Sequence, residues 1–215
     1  MSARIRGEAV PTLLPAHGPV HVLLIGEAPG PRGADKSGFP FFGDAAGRHL
    51  YRVLSRTGAV AVPAQLWEQP WDGAGFASAG LIPVAHGVAL GNAFPCCPTE
   101  DGFAFRAPSK RELEGPENLT RLATELCTLA ARGLVGVLTM GRVATKTMDV
   151  VFNDPRVPTL TRRAIPHPSA QGLLSMAPNR GKGARMADLQ ALWMDQCEAL
   201  LVECGFVPSE LRGAV

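Results

Sequence analysis

Three side chains in the sequence have the chemistry to act on a bound ligand, and each stands where an apolar run stops. Glu27 follows VHVLLIG and opens the glycine- and proline-rich stretch GEAPGPRG. Asn92 closes GVALGN and leads into the segment FPCCPT. His167 sits between two prolines in IPHPSA. A carboxylate can act as a base or counter-charge, and an amide presents a donor beside an acceptor. An imidazole held by flanking prolines can donate to a developing anion, and one such donor contributes roughly 3–4 kcal/mol to a transition state. The amide pair of Asn92 suits the N3–H and O4 of a uracil edge. Cytosine presents the reverse, leaving partners unpaired at about 1–3 kcal/mol per group. Plainer readings stand beside these: Asn92 can satisfy a local turn, His167 can be packed, and the Gly-rich turn can be a phosphate cradle or only a tight turn. The sequence contains neither G-x-x-x-x-G-K-[ST] nor G-x-G-x-x-G, which argues against a P-loop and against a dinucleotide site.

The elements that must hold these residues follow from periodicity. VHVLLIG (20–26) reads as a buried parallel strand. DAAGRHLYRVLSRTG (44–58) reads as a helix with Asp44 as N-cap and Gly58 as its stop. Residues 59–80 look irregular. Strands are expected at 87–94, 134–141 and 159–166. Helices are expected at 109–133, broken at Gly115-Pro116, and at 142–152 and 184–205. Strands alternating with helices predict an α/β fold, a three-layer sandwich with a central, mostly parallel four-stranded sheet, formed by one domain over 1–215. Ligands of such sheets bind at the carboxyl ends of the strands. GEAPG, Asn92, MGR and HPSAQG would therefore gather on one edge. Phe39, Phe41 and Phe42, between Gly38 and Gly43, are expected mostly in the core, though a ring there can also stack on a planar ligand.

Composition bounds the partners. The chain has 215 residues, 46% of them hydrophobic, with a net charge of +2. That balance does not by itself announce a nucleic-acid binder. Between Pro155 and Ala187 there is no acidic residue, whereas Arg156, Arg162, Arg163, Arg180, Lys182 and Arg185 occur there. This predicts a local basic surface, against the plainer alternative of scattered solvated charges. The N-terminus lacks an uninterrupted apolar signal-peptide core, and no apolar run approaches a membrane span. Five cysteines without framework spacing predict reduced thiols in a cytoplasmic protein. No membrane contact and a monomer are expected.

In this order, GEAPG with SGFPFFGDAAGR, NAFPCCPT, LTMGRVA and HPSA resemble the motifs of the uracil-DNA glycosylase superfamily, closest to its family-4 type, over about residues 20–175. The resemblance implies base excision repair: uracil removed from single- or double-stranded DNA by hydrolysis of the N-glycosidic bond after base flipping. It implies that Glu27 positions or activates the water and that His167 stabilises the departing uracil anion. Phe41 would stack on the base, Asn92 would read its edge, and Gly26 and Ala28 would complete the substrate pocket. Residues 168–183 would be a DNA-intercalation loop, with Ser169 at its start, Leu173, Leu174 or Met176 as wedge, and Arg180 and Lys182 on phosphates.

The departures from that pattern carry expectations of their own. Family-4 enzymes hold an iron–sulfur cluster on four cysteines, of which only Cys96 has a match here. One ligand cannot hold a cluster, so no cofactor and no metal are expected. Hydrophobic packing or the Trp67–Trp71 segment would take over its structural role. Ala28 and Gly30 stand where relatives place a water-activating Asp and a thymine-excluding Tyr. Three alternatives to the uracil hydrolase therefore remain: a non-catalytic binder of damaged DNA, a glycosylase for another damaged base, and an enzyme acting on free nucleotides. A lyase step through Lys36 is a minor variant of the first reading.

Overall fold

The computed structural model describes residues 4–208, the side chains of Asn179 and Arg180 excepted. The first apolar run forms β1 (Val20–Gly26) as expected. The glycine-rich stretch carries a short helix, α1 (Ala34–Ser37), before α2 (Ala45–Arg56). The stretch 59–80, expected to be irregular, carries regular elements, and these continue to residue 85. They are β2 (Val60–Ala61), a 3-10 turn at Ala64–Glu68, α3 (Gly73–Ser78) and β3 (Val84–Ala85), with β2 and β3 antiparallel. Then follow β4 (Gly87–Asn92), α4 (Lys110–Glu114) and α5 (Pro116–Ala130). The chain continues as β5 (Gly136–Met140), α6 (Arg142–Val151), β6 (Thr161–Ile165), α7 (Ala170–Leu174), a 3-10 turn at Pro178–Gly181 and α8 (Met186–Glu203).

The break at Gly115-Pro116 falls where the sequence puts it. Ser109 and Glu112 form a capping box for α4, and Pro116 starts α5, where its missing N–H costs nothing. The main sheet is wholly parallel, in the order β4-β1-β5-β6. Strands β4 and β5 are buried at every position, whereas β6, at the edge, is buried only at Ile165. Alternation along β1 feeds two cores. Val22 and Leu24 join the aromatic side with α2 and α8; Val20, Leu23 and Ile25 join the side packed by α5 and α6. The irregularity between Val20 and Val22 accounts for the break in strict alternation. No helix among the described residues is long and apolar enough to cross a membrane.

Two supports for the first loop escaped the sequence reading. One is the 59–86 excursion. A Cβ on Gly43, which has φ +103°, would lie 2.3 Å from Gly73 Cα, so the loop and α3 meet backbone on backbone. Around this contact Phe42 packs against Tyr51, Trp71 and Phe76. The other is the N-terminal segment. Leu13 exchanges backbone hydrogen bonds of 2.8 and 3.0 Å with Leu90, covering the outer edge of β4. Further back, Val10 and Ile5 donate to the carbonyls of Pro95 and Gly102.

Asp35, 3% exposed, joins these pieces. Its carboxylate accepts from the backbone N–H groups of Arg6 and Gly7 at 3.0 Å each. It also pairs with Lys36 at 2.8 Å, and Lys36 donates onward to the Arg4 carbonyl. Lys36 is thus committed to an ion pair rather than presented to a ligand. Burial alone would raise the Asp35 pKa, but the hydrogen bonds and the lysine outweigh it, and the carboxyl is held below its ordinary value.

Removing one partner of a buried pair leaves the other uncompensated, so Asp35→Ala is expected to destabilise the fold by about 3 kcal/mol. That corresponds to a Tm loss on the order of 10 °C by calorimetry. The folded carboxyl keeps its charge to lower pH than the unfolded one. The difference between wild type and variant should therefore be full at neutral pH and shrink as pH falls through the carboxylate range.

Candidate active site

The carboxyl ends of β1, β5 and β6, with Phe105 and Ala107 from the segment between β4 and α4, open into a cavity of about 1100 Å³. Glu27, Ala28 and Gly30 reach its wall from the β1 loop, with Phe41 and Asp44 from the approach to α2. Arg142 and Lys146 come from the start of α6, and His167 and Ser169 from the turn after β6. The structure thus brings together Glu27, Ala28, Phe41, His167 and Ser169. Gly26 and Asn92 are not on the wall but directly behind it. They are paired in the β1–β4 register.

Asn92 is 4% exposed, and neither atom of its amide has a hydrogen-bond partner among the described residues. Two orphaned buried polar atoms cost about 1–3 kcal/mol each, so the plain reading, a satisfied local turn, does not describe this residue. Its main chain is firmly held. Arg121 donates to the carbonyls of Asn92 and Ala93 at 3.2 and 2.8 Å, and Asn118 donates to Ala93 at 2.9 Å.

Phe41 is the single non-glycine residue with positive φ, +60°, among those described. Such a conformation costs about 1–2 kcal/mol and persists only where the surroundings impose it. Tyr51 imposes it from α2, donating to the Pro40 carbonyl at 3.0 Å, and Ser37 donates to the Phe42 carbonyl at 2.7 Å. The ring lies over Gly26, where an added Cβ would stand 2.5 Å from Phe41 Cε1 and 3.5 Å from Asn92 Oδ1. Of the three phenylalanines, Phe42 is fully core, Phe39 packs edge-on against it, and Phe41 faces the cavity.

His167 is fixed from two sides. Trp193, buried in α8, donates to the Pro166 carbonyl at 2.7 Å. The backbone N–H of Ser169 donates to His167 Nδ1 at 3.2 Å. An acceptor at Nδ1 places the ring proton of the neutral imidazole on Nε2. Burial pushes the His167 pKa below its ordinary value, so the ring is neutral at physiological pH and donates through Nε2. Glu27 has no hydrogen bond to its carboxylate among the described residues, and burial raises its pKa.

Asp44 is the residue whose second role the sequence reading missed. It caps α2 as expected, with Oδ1 accepting from Gly47 N at 2.6 Å. Its other oxygen lies against Gly30, 3.1 Å from where a Cβ would stand, and the side chain reaches the cavity wall. Gly30 is therefore less a lost side chain than room for a carboxylate. Burial raises the Asp44 pKa despite two backbone donors. The signal was present as a second acid at the far end of the same glycine-rich stretch.

The 168–183 segment needs correction. It is not an open loop, because Ser169 caps the short helix α7. Of the three expected wedge residues, Leu173 is 1% exposed and belongs to the aromatic core. Met176 packs partly against that core, and Leu174 is the exposed one, at 41%. Lys182 is exposed, and the Arg180 side chain lies outside the described residues. The expected basic surface is also smaller than the sequence implies. Arg156 pairs with Asp154, Arg163 pairs with Glu203, and Arg162 lies over the Phe152 ring. Acids from outside the 155–187 window neutralise two of its arginines. By contrast, Arg142 and Lys146 line the cavity without an ion pair among the described residues.

Among the described residues no three His, Cys, Asp or Glu side chains are grouped to hold a metal. Burial raises the Cys96 pKa and pushes Cys97 up to about 12.

The parallel α/β sheet thus carries at one edge a cavity lined by an aromatic ring, two carboxylates and an imidazole, with the Asn92 amide behind its wall. The model of the uracil DNA glycosylase superfamily matches residues 15–193, and the chain belongs to that superfamily. No curated protein matches the sequence.

Histidine titration by NMR checks the electrostatics directly. The His167 midpoint is expected below the 6.5 of an unperturbed histidine, with the nitrogen shifts of an Nε2–H tautomer. A midpoint above that value would mean that a carboxylate, not burial, governs the ring.

Proposed function

We propose that the protein is a monofunctional uracil-DNA glycosylase of base excision repair, close to the family-4 type but without a cluster. In this reading it acts as a monomeric single domain in the cytoplasm on uracil flipped out of single- or double-stranded DNA. The observation that carries the reading is the buried, unpartnered amide of Asn92 beside Phe41, at the carboxyl end of a strand. It is a donor and an acceptor whose desolvation has already been met, waiting for a ligand with the complementary pair. Because Asn92 lies behind the present wall, the base must press past it to stack on Phe41 and meet the amide.

The reaction breaks the C1′–N1 bond, with its electron pair leaving on uracil, while positive charge grows on the sugar. His167 Nε2–H donates to the oxygen that takes up the negative charge. Glu27 and Asp44 face the developing cation, and one of them receives a proton as water adds to C1′. Gly30 bears on this reading because it admits Asp44, which supplies the carboxylate that Ala28 does not. The ion pair of Lys36 with Asp35 favours water over an amine as nucleophile. Lys182 and Arg180, with Leu174 from α7, would contact DNA beside the cavity.

Uracil-containing oligonucleotides, incubated with protein and then treated with alkali to cut abasic sites, test this. His167→Ala and Asn92→Ala are each expected to slow excision by roughly 100-fold or more, equivalent to about 3 kcal/mol. Glu27→Gln and Asp44→Asn should each slow it as well. Retained DNA binding without any cleavage by the wild type would instead favour a damaged-DNA binder.

The pH profile is a separate test. Activity needs ionised carboxylates, and the pKa values of Glu27 and Asp44 are raised. The acid limb should therefore lie above the ordinary carboxylate range, with no inflection from His167 at the ordinary histidine value. An inflection there that disappears in His167→Ala would contradict the neutral-donor role.

A further inference from the structure

One large exposed side chain at the cavity has no role in the reaction just described. Phe105, in the segment between β4 and α4, is 50% exposed and lines the same cavity as Glu27, Asp44 and His167. A half-exposed ring on a mobile loop would mean little, but this segment is tightly pinned. Thr99 and Phe105 form an antiparallel bridge, and Arg106 N donates to the Pro98 carbonyl at 3.2 Å. Asp101 Oδ1 accepts from Phe103 N and Ala104 N at 2.8 and 2.7 Å, and Gly102 N donates to Thr99 Oγ1 at 3.0 Å. Directly after Phe105, the Arg106 guanidinium grips Glu112 of α4 through two bonds of 2.7 Å. That grip holds the Glu112 carboxyl down to about 2. The ring is therefore held at the cavity while half of its apolar face stays in water. A rigid aromatic so placed is prepared for a flat apolar surface that arrives with the ligand.

We propose that Phe105 is a substrate-binding residue that stacks on the nucleobase flanking the extruded uracil, so that the enzyme holds two bases of one strand. The inference rests on the glycosylase reading for the identity of the ligand. The chemistry on the page favours nucleic acid over a protein partner. The cavity that Phe105 lines also carries Arg142 and Lys146, cations with no ion pair among the described residues and suited to a sugar–phosphate backbone. Stacking on an aromatic ring is tolerant of base identity and needs no complementary strand. The contact would therefore operate on single-stranded DNA as well as on duplex.

Binding to single-stranded oligonucleotides that carry a non-cleavable 2′-fluoro-deoxyuridine next to 2-aminopurine, placed on its 5′ or its 3′ side, tests the proposal. Stacking on Phe105 should quench 2-aminopurine on one of the two sides. Phe105→Ala should abolish that quench and weaken binding by roughly tenfold. With cleavable substrate, the loss should fall on KM more than on kcat. Phe105→Trp should restore affinity, and an unchanged Tm would exclude a folding defect. Unchanged affinity and quench in Phe105→Ala would overturn the proposal, even if uracil excision is robust. A loss confined to duplex substrate would assign the ring to the gap left by the extruded base and overturn the flanking-base stack. If the wild type binds with a Phe105-dependent quench but excises nothing, the stack stands and the glycosylase reading fails. If it binds no uracil-containing DNA, both fail.

Discussion

The register of β1 against β4 fixes where every other part of the site must be. Gly26 is paired with Asn92, and Ile25 is paired with Thr139 of β5 on the other side. In a strand buried on both faces, a slip by one residue would send each side chain to the opposite core. Asn92 would then point among aliphatic groups of the wrong layer, at the full cost of an unmatched amide. The bulk of Leu23, Leu24 and Ile25 on alternating faces of β1 prevents that slip. The apolar run that looks least functional in the sequence therefore sets the position of the amide to within one residue.

A sheet edge alone does not hold a glycine-rich loop in one conformation, and the chain spends two segments on doing so. The 59–86 excursion supports the loop from beneath through the Gly43–Gly73 contact and the rings around Phe42. The N-terminal segment is tied to α1 through Asp35 and, by the bridge of Ala9 with Cys96, to the stretch after β4. These segments provide the local rigidity that positive φ at Phe41 demands, because a strained residue relaxes unless its neighbours forbid it. Trp67 and Trp71 stack on each other at 5.2 Å, and Trp71 packs against Phe42. The Trp67–Trp71 segment therefore does carry structural weight, but on the α2 side. The Cys96 side is held by the N-terminal segment.

The strands, most of the helices and the gathering of four loops could be read from the sequence because each rests on local pattern: an apolar run, a cap, a proline. That Glu27, Phe41 and His167 would stand at that edge could be read for the same reason, since each adjoins a strand end or turn. What could not be read depends on contacts distant in sequence. The N-terminal segment shows no apolar periodicity, because its backbone pairs along an edge rather than through a buried face. Asp44 looked complete as a cap, and only the folded structure shows its side chain on the cavity wall, with its second oxygen against Gly30 and Gly33. Leu173 and Leu174 are indistinguishable in sequence, yet one turn of α7 buries the first and exposes the second. The arginines of 155–187 looked unopposed because their partners, Asp154 and Glu203, lie outside that window.

The shifts at the site form a consistent set. Burial raises Glu27 and Asp44 and lowers His167, so the site disfavours charge of either sign while no ligand is bound. For the proposed reaction this has a direct consequence. A cation forming on the sugar in such a site is stabilised by each carboxylate more strongly than water would allow. A protonated His167 would oppose it, whereas a neutral imidazole can donate to the leaving base without adding positive charge beside the sugar. The carboxylates must ionise to act, and their raised pKa values work against them until a cation approaches. DNA brings the opposite field, since its phosphates raise carboxylate pKa values further. On the proposed reading, Arg142 and Lys146, on the wall of the same cavity, would offset that field where the backbone would lie.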